Sequence, residues 1–171
     1  MKLEEKIKEK YLYSNNFNIF KFFYFFFQFL KSKIKPRISN ANWGLDLIVN
    51  NIFRNKKKGI YIDVGCHHPF INNNTYFLYK KGWNGINIDL DFNSIDMFNY
   101  FRPEDDNKKI GISNKKGVSN LYFFHNRAAK NTLIKKSGRG AKQIKRIKVN
   151  TLDNIIKESK LKVKEIDFLT I

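Results

Sequence analysis

The residues in this chain best suited to chemistry are two aspartates 26 positions apart, Asp63 and Asp89, each placed where a short apolar run gives way to a turn. A carboxylate at such a position can accept hydrogen bonds from both hydroxyls of a ribose, and the bidentate geometry makes it selective. Alone, each would be an ordinary strand-end carboxylate capping neighbouring amides; as a spaced pair within one βαβ unit they favour cofactor binding. Gly65 follows the first of them, in the run Lys58-Gly59-Ile60-Tyr61-Ile62-Asp63-Val64-Gly65-Cys66-His67-His68-Pro69-Phe70. It supplies the freedom that a sharp strand-to-loop turn needs. A dinucleotide fingerprint would put further glycines where His67 and Phe70 stand, and without them close approach of a pyrophosphate is not expected. A cofactor with a carboxylate-held ribose and no pyrophosphate suits this turn better, and S-adenosylmethionine is the common candidate.

Other reactive residues are poorer candidates. Cys66, His67 and His68 are consecutive and do not converge easily on one ion, and His125 is the other nitrogen donor. A metal site needs three or four ligands in suitable geometry, so no metal is expected. Cys66 has no nameable activating partner, so no catalytic cysteine is assigned. No catalytic base is assigned either.

The elements that must position these residues follow from pattern. Ile60 to Val64 is β-branched and aromatic and too short for a helix, so it reads as a buried strand. Ile71-Asn72-Asn73-Asn74-Thr75 offers capping side chains for a helix from Tyr76, with Gly82 as its stop. Gly85 to Asp89 reads as the second strand. Ser94 to Arg102 reads as a helix closed by Pro103, Lys109 to Ser113 as a third strand, Asn114 to Gly117 as a hairpin-like turn, and Val118 to Phe124 as a strand. Arg127 to Lys148 is basic and low in large apolar residues, and reads as a flexible loop. Thr151 caps a helix carrying Ile155 and Ile156, and Ile166 to Ile171 is a last strand. Upstream, Trp43 to Phe53 is a helix with Asp46 near its start. In open α/β sheets ligands bind beyond the carboxyl ends of the strands, which places the pocket at the Gly65 turn.

The remaining amino-terminal part, residues 1–42, differs in character from residues 43–171, and the two are read as separate units. Lys2 to Lys10 mixes Lys and Glu as a short helix. Phe17 to Leu30 is dominated by phenylalanine, but fourteen helical residues reach about 21 Å against a hydrocarbon layer of roughly 30 Å. Asn18, Lys21 and Gln28 interrupt it as well. It therefore reads either as an interfacial helix on an anionic membrane, flanked by lysines, or as a helix packing its aromatics on the domain or on a second subunit. Pro36 to Asn42 is a polar connector.

At 171 residues and 42% hydrophobic content the chain can build one domain with a real core. The formal net charge is +18. Such a surface attracts phosphates in nucleic acid, anionic lipid or a substrate; the joint richness in Lys, Asn, Ile and Phe equally fits composition bias without a partner. The single cysteine allows no internal disulfide and fits a reducing compartment. No signal peptide is visible, so the expected location is cytoplasmic, with peripheral membrane contact through residues 17–30 as an option.

With these residues placed, the sequence resembles the FkbM family of S-adenosylmethionine-dependent methyltransferases. The resemblance rests on Gly59 to Pro69, Asn74-Thr75-Tyr76-Phe77-Leu78, Gly82 to Asp89, Ile110-Gly111-Ile112-Ser113, Thr151-Leu152-Asp153 and Ile166-Asp167-Phe168-Leu169, in the family's order. It implies an α/β, Rossmann-like methyltransferase fold and methyl transfer to a hydroxyl of a sugar or secondary metabolite, with a small-molecule or glycan acceptor. It also implies that Asp63 and Gly65 line the methionine side of the cofactor, that Asp89 holds its ribose and that Ile112 and Ser113 lie near the adenine. Cys66 and Asn74, from the same stretches, complete the expected cofactor set. Family members continue past the strand resembling Ile166 to Ile171, so the resemblance covers the cofactor half of the sheet and implies a fragment lacking the carboxyl-terminal half. The alternative from another class is a non-catalytic basic module in which Lys135, Lys136, Arg139, Lys142, Lys145, Arg146 and Lys148 meet phosphates of nucleic acid or an anionic membrane. That segment lacks aromatics, so base stacking is not expected; the plainer account is a solvated loop, with nucleic acid not an expected partner.

Overall fold

The run Ile60–Val64 forms strand β1, with Tyr61 and Ile62 fully buried on opposite faces. Period-2 alternation therefore sends each side chain into a different layer. These positions come from a computed structural model, which describes residues 8–12, 18–34, 38–125 and 131–171. Most of the expected Lys2 to Lys10 helix, Phe17, the start of the connector at Pro36, and Arg127 to Lys130 lie outside the described residues.

Strand β1 pairs in parallel with β2 (Asn84–Asp89), and β2 in parallel with β3 (Asp106–Lys109). On its other side β1 pairs in parallel with β7 (Phe168–Thr170), Asp63 lying beside Thr170. The order β3-β2-β1-β7 reverses direction of travel between β1 and β7. This is an α/β fold with a mostly parallel sheet, compatible with a Rossmann-like arrangement, and the reversal is where such sheets hold ligands.

One face of the sheet is covered by α2 (Leu45–Ile52), α3 (Tyr76–Lys80) and α4 (Phe92–Phe101). Here Tyr61 packs with Val49, Leu78 and Trp83. The Tyr61 ring lies directly over Gly85, where a Cβ would come within 2.0 Å of it. The other face buries Ile62, Ile86 and Ile88 under Ile155 of α5 (Leu152–Lys157). Thr151 caps that helix as expected, its Oγ1 accepting from the Asn154 amide at 3.2 Å.

The expectations between residues 109 and 148 need correction. The expected strand Lys109 to Ser113 is two strands: β3 ends at Lys109, and β4 (Gly111–Ile112) belongs to a second sheet. The turn at Asn114 to Gly117 leads into β5 (Gly117–Phe123), but β5 does not pair with β4. Between them lies β6 (Gln143–Asn150), in the stretch expected to be a flexible loop. It runs antiparallel to β5 over seven residue pairs and parallel to β4. In β6 the side chains of Lys145, Ile147 and Val149 share one face and those of Ile144, Arg146 and Lys148 the other, and Lys145 rides over the Phe123 ring. A strand can carry long cations whose stems cover apolar surface.

The phenylalanine-rich segment is helix α1 (Ile19–Ile34), longer at its carboxyl end than expected. Asn18 caps it, accepting from the Lys21 amide at 3.0 Å. Phe25 is fully buried against Tyr100 and Phe101 of α4, Phe29 stacks on Phe101, and Lys21 pairs with Asp96 at 2.6 Å. Among the described residues no helix is long and apolar enough to cross a membrane.

Candidate functional site at the carboxyl edge of the sheet

Asp63 and Asp89 stand on adjacent parallel strands at the same edge, the register pairing Asp63 with Asn87 two residues before Asp89. Asp63 is buried, and its Oδ2 accepts from Thr75 Oγ1 and from Asn73 Nδ2, both at 3.0 Å. Its other oxygen accepts no hydrogen bond from the described residues. Burial pushes this carboxyl up to about 6, against the opposing pull of the Arg102 guanidinium.

Asp89 holds the turn that follows each strand. Its Oδ2 accepts from the His67 amide at 2.9 Å and its Oδ1 from the Asp91 amide at 2.8 Å. A carboxylate has about four acceptor positions, so each oxygen retains one. Partial burial raises the Asp89 carboxyl, and these amide hydrogen bonds hold it down. Gly65 takes φ +75°, its amide donates to the Ile88 carbonyl at 2.8 Å, and the space where its side chain would stand is open. His67 also adopts a left-handed φ of 55°. This is the position where a dinucleotide fingerprint has glycine, so the turn keeps that backbone shape without the residue that adopts it freely.

The other expected residues divide. Asn74 reaches across to β7, its Nδ2 donating to Thr170 Oγ1 at 2.9 Å, so it spans the reversal point. Cys66 turns away from the edge and packs with Ile95 and Phe98 of α4, where burial pushes its thiol well above the usual range. Ile112 packs on the opposite face of the main sheet, with the cluster of Ile62, Ile86 and Ile88. Ser113 continues the second sheet, its amide donating to the Asn150 carbonyl at 3.0 Å. The structure therefore brings Asp63, Gly65, Asn74 and Asp89 to one edge and does not bring the Cys66 side chain or the side chain of Ile112 there.

Sequence reading missed the group that organises this edge. Arg102, at the end of α4, is fully buried. It donates from Nη1 to Thr75 Oγ1 at 3.0 Å and to Tyr61 Oη at 3.3 Å, and from Nη2 to Asn73 Oδ1 at 2.8 Å and to the Pro69 carbonyl. Tyr61 in turn donates to Asp105, which also accepts from the Gly85 amide at 2.8 Å and Asn87 Nδ2 at 2.9 Å. An arginine ending a helix ordinarily reads as a solvated cation beside the last carbonyls, so nothing in the sequence distinguished Arg102. Of the cap candidates before α3, Asn73 accepts from the Thr75 amide at 3.1 Å while Thr75 Oγ1 makes no cap bond, and the two side chains together relay Asp63 to Arg102.

Two more residues went unnoticed. Past the α4 cap, where Asp91 accepts from the Asn93 and Ser94 amides, the side-chain Nδ2 and Oδ1 of Asn93 and the Oγ of Ser94 are buried without hydrogen-bond partners among the described residues. Groups left so cost about 1–3 kcal/mol each unless something polar meets them. At the opposite, amino edge of the sheet, Lys56, Asn84, Leu161 and Asp167 line a shallow groove, with Asp167 pinning β7 to β1 through the Ile60 amide at 2.9 Å. No family model, curated protein or solved structure matches this chain.

Proposed function

We propose that this chain binds S-adenosylmethionine at the carboxyl edge of β1 and β2 and is a methyltransferase of the FkbM type, acting on a hydroxyl of a sugar or secondary metabolite. The observation that carries this reading is the placement of Asp63 and Asp89 on adjacent parallel strand tips, beside the reversal in strand order. Asp89 keeps one acceptor position on each oxygen for the two ribose hydroxyls, while its amide bonds fix the carboxylate in place. The open space at Gly65 admits the cofactor backbone against the turn, and the Asp63 oxygen that Asn73 and Thr75 leave unengaged can accept from the cofactor's ammonium group. Asn74, fixed to Thr170, closes the β7 side. Ser113 is the group proposed for the adenine side. When bound, the cofactor supplies a methyl group on a positively charged sulfur. The chain's part is then to hold donor and acceptor in line, which is where most of the rate advantage of such a transfer arises.

Titration calorimetry with S-adenosylmethionine and S-adenosylhomocysteine tests the reading. Both are expected to bind, and Asp89→Ala is expected to weaken both by roughly 10- to 100-fold, the worth of one or two hydrogen bonds to a charged acceptor. Absence of heat with either ligand overturns the reading; a basic module that binds only phosphates ignores both.

A further inference from the structure

Helix α1 is built inside out. The face turned to the domain carries Lys21, fully buried and paired with Asp96, beside Phe25 and Phe29. The opposite face carries Ile19, Phe20, Phe23, Phe26 and Phe27, with Phe22 at its margin, all exposed. These positions recur at the i, i+4, i+7, i+8 spacing of one helical stripe. Ile19 and Phe27 are 66% and 65% exposed. A helix that needed only to pack on α4 would place its charge outward and its phenylalanines inward. A contiguous aromatic stripe open to water marks an interaction surface.

The charge around the stripe says what that surface is. From Lys10 to Leu45 the sequence contains no Asp or Glu, while Lys10, Lys21, Lys31, Lys33, Lys35 and Arg37 are all basic. Lys33 sits over the Phe29 ring and Lys10 over Tyr11, so described cations stand near both ends of the helix. A second copy is disfavoured as occupant, because it would bring another net charge of +18 against the first. An anionic lipid surface supplies both requirements, acyl chains for the phenylalanines and phosphates for the lysines.

We propose that the outer stripe of α1 docks this protein in the plane of an anionic membrane, the helix lying in the headgroup layer with the domain held on its solvent side by Lys21, Phe25 and Phe29. The proposal does not depend on the reading of the sheet edge. Docking would bring the loop before α3 close to the lipid, since Phe29 also meets Phe70 edge-on, with ring centroids 6.5 Å apart.

The full chain is to be floated with vesicles of phosphatidylcholine, alone and mixed with phosphatidylglycerol. Binding is expected to the mixed vesicles, to weaken as salt is raised, and to be at least about tenfold weaker on phosphatidylcholine alone. Phe23→Ser/Phe27→Ser, whose side chains leave no hole in the domain, is expected to lower binding to mixed vesicles by at least about tenfold, given what burying one aromatic side chain contributes. Phe27→Trp is expected to shift its emission to the blue with mixed vesicles and not with phosphatidylcholine alone. Circular dichroism confirms that each variant remains folded. The proposal is overturned if the parent chain ignores mixed vesicles, if the double variant binds them like the parent, or if the Phe27→Trp emission stays put. It is overturned equally if sedimentation shows the parent to be a dimer that the double variant dissolves.

Discussion

At the scale of single residues, Asp63 is caught between two demands. Its strand-tip position suits a ligand, yet Thr75 and Asn73 bind one of its oxygens into the scaffold, and burial raises it to about 6. In the unfolded chain it titrates near the usual aspartate value of about 3.9. Between these two values the folded protein keeps a proton that the unfolded chain has released, so stability falls as pH rises through that window and levels above it. The shift corresponds to roughly 2–3 kcal/mol. Asp89 and Asp105 are raised too and add to the fall. Urea midpoints measured from pH 4 to 7 are expected to decrease, and Asp63→Asn, which retains an acceptor for Thr75 and Asn73, is expected to flatten part of that decrease. An unchanged slope in the variant would assign the effect to other carboxylates.

At the scale of elements, β6 is the instructive case. Its composition, rich in lysine and arginine, argued for a solvated loop, while its place between β4 and β5 gives its backbone ladder partners on both sides. Whether such a stretch is a strand depends on neighbours that local composition does not reveal. Amide hydrogen exchange is expected to show residues 144–149 protected well beyond residues 133–136, which make no such ladder; equal rates in the two stretches would restore the loop. Helix α1 shows the converse. Its helical character was legible from its aromatic run, but which side faces inward was not, because an apolar residue stands at almost every position.

At the scale of the whole molecule, Arg102 joins parts that are distant in sequence. Its hydrogen bonds link β1 through Tyr61, the loop through Pro69 and Asn73, and the start of α3 through Thr75. It is also the nearby positive charge that offsets Asp63 and Asp105. Replacing it by methionine keeps much of the volume but leaves two buried carboxylates and the Pro69 carbonyl without it. The expected cost is about 3–5 kcal/mol, as for breaking other buried charged networks, read as a drop in the urea midpoint at pH 7. The same variant at pH 5, where the carboxyls hold protons more readily, is expected to lose less. Equal losses at both pH values would show that packing, and not charge, is what Arg102 provides.

Local grammar is what the order of residues alone lays down in this protein. A five-residue run of β-branched and aromatic residues around Asp63, with one glycine after it, makes β1 and its turn, and a threonine before a helical pattern makes the α5 cap, because those choices depend on neighbours within a few positions. That order also located both aspartates at strand ends, since strand ends follow from where the apolar pattern stops. Tertiary structure alone decided that Cys66 packs inward against α4, that Lys21 is buried while Phe27 is exposed, and that Asn73 and Thr75 serve Arg102 in place of their own helix. Each of these depends on groups distant in sequence: Arg102 meets Thr75 and Asn73 across 27 and 29 positions, and Lys21 meets Asp96 across 75. At such separations the deciding quantity is which buried charge finds which partner, and that is set by the packing of layers and not by the order of residues along the chain.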